Sequence, residues 1–346
     1  MRRGCTGAAI FFAGALPWAP AAPQSGGVAP RAVPFLALSL LAPGCVPVPV
    51  LPQPTSVRTP SLASLPAVSR LGRWDGERFV PVAPESVPPS HVYALVHGWA
   101  PGWSDAVRED PALRSWEARD PEGREFEPWI ARLARAIESR DPHAVVLAYS
   151  WLDDAATIPF ILAQREAWAH TDLHGRLLAE ALARGRAPGF IEGAGRTHLI
   201  GHSYGARVAA LAALYLPKAP QALTTFDPPD AMMTHITGSQ LRLADIFRKL
   251  PVGRGPGRVF VDNYVSMVGG RYGGEAPVVD VALSPPYSAF SYRRRHLYPM
   301  DFYARTAQRE IGLGWSPLIA ERPPAPGCFE QPYGQLDLVA GCSGLP

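Results

Sequence analysis

The sequence predicts an α/β fold on a mainly parallel central sheet with helices on both faces, and three observations predict it. Short apolar runs alternate with amphipathic stretches of helical length, the pattern that βαβ crossovers leave. The runs are solidly apolar and do not alternate, as strands covered on both faces must be. One of them, "RTHLIGHS", passes through a glycine-flanked serine straight into an alanine-rich helical stretch.

The elements follow in order. "GRWDGERFVPV" reads as an N-terminal β-hairpin whose Asp75-Gly76 supplies the turn. "HVYALVHGW" is a short buried strand ending in a glycine turn, and "EPWIARLARAIESR" has apolar residues at helical spacing with arginines between them. "HAVVLAYSWL" is the next strand, followed by a long helix that starts at a proline, "PFILAQREAWAHTDLHGRLLAEALARG". "RTHLIGHS" and the helix "YGARVAALAALYL" come next, then strands in "ALTTFDPP", "RVFVDNYVS" and "APVVDVALS". "MDFYARTAQREIG" closes the series as a helix. The connection from Pro228 to Arg258 is long, and its amphipathic "LRLADIFRKL" reads either as a lid or as a helix packing on the sheet.

This pattern begins at Leu71. Residues 1–45 hold two apolar runs behind arginines, each too short to span about 30 Å of hydrocarbon, and read as an export signal. The second run ends in "LAPGC" at Cys45, which resembles a bacterial lipoprotein signal and implies a membrane tether through that cysteine. Residues 46–70 are proline-rich and nearly uncharged, the composition of an extended tether. Residues 71–346 then form the folded domain with a C-terminal extension. It carries Cys328 and Cys342, an even pair that an oxidising compartment would close. A formal charge of +3 with no basic stripe excludes nucleic acid as the expected partner.

"GHSYG" places Ser203 between Gly201 and Gly205 at a strand-to-helix turn. Such a turn is a nucleophile elbow: the serine takes a strained backbone and exposes its hydroxyl, while glycines let strand and helix approach. The partners of an elbow serine follow in the chain order acid, then histidine. After Ser203 the chain offers only His235 and His296. His235 falls inside the long connection. His296 falls after the last strand and before the aromatic stretch "YPMDFYARTA", where the base is expected. The acid is Asp227, after "ALTTF" and stiffened by Pro228 and Pro229, or Asp262, within "RVFVDNYVS". Asp227 is the preferred reading. The oxyanion hole would use the backbone N–H groups of Tyr204, after the nucleophile, and of Trp99, in the "HGW" turn. His97 then orders that loop.

Together these landmarks resemble the α/β-hydrolase fold and, within it, the pancreatic-type lipases and their bacterial esterase-like relatives. "HGW" is similar to the oxyanion-loop motif of those lipases, "GHSYGARVA" to their elbow, and "AYSWLDDAA" to the segment before their long helix. "TFDPPD" resembles the stretch that supplies their acid, and "RRRHLYPMDFY" their histidine loop. The resemblance implies hydrolysis of a small-molecule or lipid ester through an acyl-serine, with no cofactor and no metal. Two other functions fit the same residues: an envelope acyltransferase or thioesterase, and a non-catalytic binding protein on the same scaffold.

Overall fold

The computed structural model describes residues 70–82, 91–99, 128–155, 161–183, 196–230, 241–287, 292–333 and 335–342, all within the compact unit Thr59–Pro346. The signal region, Cys45, His235 and all of the tether except Arg70 lie outside the described residues.

β1 (Leu71–Trp74) and β2 (Phe79–Pro81) pair antiparallel, as expected of the hairpin. Its turn runs from Asp75 to Arg78. Asp75 Oδ1 accepts the N–H groups of Glu77 and Arg78 at 2.9 and 2.8 Å, and Gly76 takes a φ of 105°. Six strands of the sheet interior follow: β3 (His91–Val96), β4 (Ala144–Tyr149), β5 (Thr197–His202), β6 (Ala222–Phe226), β7 (Phe260–Val265) and β8 (Val279–Ala282). All six are mutually parallel. β9 (Gly327–Glu330) adds to β8 in parallel, and β10 (Val339–Ala340) returns antiparallel. The strand order is β10-β9-β8-β7-β6-β5-β3-β4-β1-β2, so β5 lies in the middle.

Each inner strand feeds two cores, which explains its solid apolar character. Val92, Ala94 and Val96 enter one, while Tyr93 and Leu95 enter the other. Burying a large apolar side chain contributes about 1.5–3 kcal/mol, so a charge in these runs would cost a core whichever way it pointed. The first core is covered by α3 (Ile161–Ala183), α4 (Tyr204–Tyr215) and α5 (Leu243–Lys249). The second is covered by α1 (Pro128–Arg140) and α6 (Tyr292–Arg305). A single turn, α2 (Leu152–Ala155), joins β4 to α3. This is the architecture of the α/β-hydrolase fold: a mostly parallel sheet, helices on both faces and an N-terminal hairpin.

Three details differ from the expectations or decide between them. "LRLADIFRKL" forms α5, whose Leu243, Ala244, Ile246 and Phe247 are buried in the core beside α4. It packs on the sheet, which leaves its apolar face committed and not poised as a lid. α6 begins at Tyr292, so His296 lies inside a helix and not in the loop before one. The helix expected from Met300 thus starts earlier and runs through Pro299. The C-terminal extension adds β9 and β10 to the sheet edge, and a Cys328–Cys342 disulfide ties β9 to the residues after β10, with Cα atoms 5.6 Å apart. Those strands are short, at most half-buried and free of a long apolar run, so no sequence signal marked them. No helix among the described residues is long and apolar enough to cross a membrane.

Candidate active site

Ser203 stands where β5 turns into α4, with φ 53° and ψ −123°. A non-glycine residue in that region is strained, and strain of this kind costs on the order of 1–3 kcal/mol. The flanking glycines are required by contact. A Cβ at Gly201 would lie 2.6 Å from the Ala206 Cα, and one at Gly205 would lie 2.6 Å from the Val96 carbonyl oxygen. A serine before a helix ordinarily bonds its hydroxyl to the first turn. Ser203 does not: its side chain makes no capping bond. The turn therefore holds a buried hydroxyl that helix stability does not use, at the positive end of the α4 dipole.

The Ser203 N–H donates to the carbonyl of Phe226 at 2.8 Å, which sets the elbow against the end of β6. The next residue is Asp227, also at positive φ (46°), a conformation that aspartate tolerates better than most residues. Its carboxylate is buried and divided between two tasks. Oδ1 accepts the N–H groups of Ser266, Met267, Val268 and Gly269 at 3.0, 3.0, 3.2 and 3.0 Å. Oδ2 lies 2.7 Å from Nδ1 of His296. Burial acts to raise the Asp227 pKa. The hydrogen bond and charge of His296, with the backbone donors of the β7 loop, outweigh it and hold the carboxyl below its ordinary value. An ionised Asp227 can only accept, so Nδ1 of His296 carries a proton.

His202, the residue before Ser203, brings the two halves together. Its ring centroid is 4.6 Å from that of His296, and its Nε2–H donates to the His296 carbonyl at 3.3 Å. His202 is held well below the usual histidine range by burial and by the neighbouring His296, so it is neutral and serves as a donor to the backbone. The candidate base is thus gripped at its ring by β6 and at its backbone by β5.

The "HGW" turn lies against the elbow: a Cβ at Gly98 would fall 2.9 Å from Ser203 Cβ. His97 is a loop-ordering residue, as its place suggested. The Trp151 N–H donates to His97 Nε2 at 3.1 Å, the Trp151 Nε1–H donates to the His97 carbonyl at 2.7 Å, and the two rings stack. With Nε2 accepting, the His97 proton is on Nδ1 and donates to the Gly98 carbonyl at 2.8 Å. In a trans peptide the carbonyl and the following N–H point oppositely, so this bond turns the Trp99 N–H away from the His97 ring. The Trp99 and Tyr204 rings stack at 6.2 Å, joining the two residues proposed as oxyanion donors.

Asp262 is occupied elsewhere. Its carboxylate accepts the Thr224 hydroxyl at 2.5 Å and the Tyr264 hydroxyl at 2.9 Å in the interior of the sheet. Burial pushes its pKa up to about 7. Thr224 in turn accepts from His198 Nε2 at 2.7 Å, and burial holds His198 down at about 3.

The sequence reading missed Ser266 to Gly269, which hold Asp227, and His202. The glycine pair that closes "SMVGG" just after a strand was the available signal for a loop that wraps an oxygen. Among the described residues no group of three or more His, Cys, Asp or Glu is placed to hold a metal ion.

No family model and no curated protein matches the sequence. Among solved structures, 34 chains match. A butyrate-bound form of the esterase Est2 from the Planctomycetes species Thermogutta terrifontis aligns with a TM-score of 0.29 at 11% identity, over 64% of this chain and 72% of that one. Its propionate-bound form gives 0.26 at 12% identity, over 63% and 70%, and the apo form of Thermogutta terrifontis esterase 2 gives 0.27 at 12%, over 52% and 64%. A likeness this distant carries no argument about function. The α/β-hydrolase fold stands on the strand order, the two helical layers and the strand-to-helix elbow.

Proposed function

We propose that the protein is a serine hydrolase that cleaves carboxylic esters through an acyl-serine intermediate, with Ser203 as nucleophile, His296 as base and Asp227 as acid. The observation that supports the reading is the 2.7 Å pairing of His296 Nδ1 with an anchored Asp227 carboxylate, and the strained Ser203, whose hydroxyl caps nothing, adds to it. With its proton on Nδ1, His296 offers Nε2 to the Ser203 hydroxyl. Ser203 Oγ attacks the ester carbonyl as its proton passes to His296, and the carbonyl oxygen takes the negative charge. The N–H groups of Trp99 and Tyr204 would hold that oxyanion, and losing one such donor typically costs about 2.7–4 kcal/mol in the transition state. His296 then protonates the departing alkoxide. Water, deprotonated by the same nitrogen, releases the acid and restores Ser203. Asp227 stays ionised throughout and stabilises the imidazolium.

A small or lipid ester fits this chemistry, and no cofactor enters it. Export belongs to the same proposal. The Cys328–Cys342 disulfide supports an oxidising compartment, and acylation of Cys45 would be read by metabolic fatty-acid labelling of the parent and of Cys45→Ala. The central test is turnover of p-nitrophenyl esters. Ser203→Ala is expected to lower kcat by about a millionfold and to abolish labelling by a fluorophosphonate probe. A Ser203→Ala protein that keeps the parent rate overturns the mechanism.

A further inference from the structure

Pro299 lies well inside α6, where a proline removes the N–H that would bond the carbonyl four residues back and pushes that carbonyl outward. The carbonyl so freed is that of Arg295, immediately before His296. It is not left empty: the Ser266 hydroxyl donates to it at 2.6 Å. The Arg295 guanidinium reaches back to the Ser266 carbonyl at 3.5 Å. Ser266 is also the first of the four residues whose N–H groups hold Asp227 Oδ1. One residue therefore touches both the acid and the backbone of the helix turn that carries the histidine.

We propose that Ser266 and Pro299 form a clamp that seats His296 against Asp227: the proline withdraws the helical donor from the Arg295 carbonyl, and the Ser266 hydroxyl takes it in place of that donor. The inference rests on the catalytic reading above and makes Ser266 a positioning residue within it. Its physical logic is that a helix turn held only by its own ladder can rotate about its axis, whereas a carbonyl pinned to the β7 loop cannot. Orientation matters steeply for such a unit, since a misplacement of about 1 Å can cost about 100-fold in rate. The clamp also explains why the helix continues through a proline. The orphaned carbonyl has a partner, so the usual penalty for an unsatisfied group is absent.

The test compares the parent with Ser266→Ala, Pro299→Ala and the double variant, by kcat, KM and Tm. Ser266→Ala is expected to lower kcat about 10–100-fold with KM within about two-fold. Pro299→Ala restores a helical N–H that competes for the Arg295 carbonyl. It is expected to hold or raise Tm while lowering kcat several-fold, and as a helix-favouring change it keeps the test valid should Ser266→Ala not fold. In the double variant Tm should recover and kcat should not. The clamp is overturned if Pro299→Ala leaves kcat unchanged, or if the double variant regains kcat together with Tm, which would reduce Ser266 to a filler of an empty carbonyl. A parent without esterase turnover would sink the catalytic reading instead. The clamp is then read from the downfield Hδ1 proton resonance of His296, expected in the parent and lost to exchange in Pro299→Ala; an equally sharp resonance in both overturns it.

Discussion

What each carboxylate already holds favours one of the two candidate acids. Asp227 follows β6 and Asp262 lies on the neighbouring β7, and chain order alone left both open. Only Asp227 faces His296; Asp262 is turned to Thr224 and Tyr264 inside the sheet. Asp227→Asn is expected to lower kcat by about 10⁴-fold, because an amide in place of the carboxylate favours the wrong imidazole tautomer. Asp262→Asn should leave kcat within a few-fold of the parent. Assays of both variants on one ester decide it, and the reverse ranking would reassign the acid. At this scale the sequence carried Ser203 and its glycines, since sterics at an elbow tolerate little else. It did not carry His202 or Ser266. Their roles depend on which side of the sheet His296 approaches from, and nothing local in the chain encodes that.

The elements divide along the same line. Parallel strands covered on both faces had to be written as unbroken apolar runs, so β3 to β8 were legible, as was the helix after each elbow or turn. The start of α6 was not, because Pro299 reads as a stop unless the distant Ser266 hydroxyl is known to wait for the Arg295 carbonyl. β9 and β10 were hidden for a different reason: they are short, lie at an edge and draw stability from a disulfide as well as from apolar burial. The joint between β5 and α4 is where element packing meets chemistry. Gly205 lies against the backbone of Val96 and His97 at the end of β3, so its missing Cβ sets how closely α4 approaches the candidate oxyanion turn. Gly205→Ala should therefore cost about 1–3 kcal/mol of stability and also depress kcat, since the new methyl would meet backbone, which cannot rotate away. Chemical denaturation and turnover measured together check this, and a variant with parent values of both would contradict the close approach.

Across the whole molecule, two buried groups of opposite sign share Thr224. Asp262, raised to about 7, binds a proton more tightly when folded, so on its own it lowers stability as pH rises from about 4 to 7. His198, lowered to about 3, does the reverse and raises stability as pH climbs from about 3 to 6.5. The two slopes offset each other in the parent. Asp262→Asn removes one of them, so its stability relative to the parent should grow from pH 4 to pH 8 by on the order of a few kcal/mol. Melting curves across that range test it, and a difference that does not vary with pH would show that Asp262 titrates normally.

The strand order has a last consequence for handling the protein. The hairpin strand β2 and the returning strand β10 occupy opposite borders of a ten-stranded sheet. At about 4.8 Å per strand the two borders are some 43 Å apart, a distance that about 13 residues of fully stretched polypeptide would only just bridge. A surface support or reporter domain grafted at either border would sit several strands away from the central bend that bears Ser203.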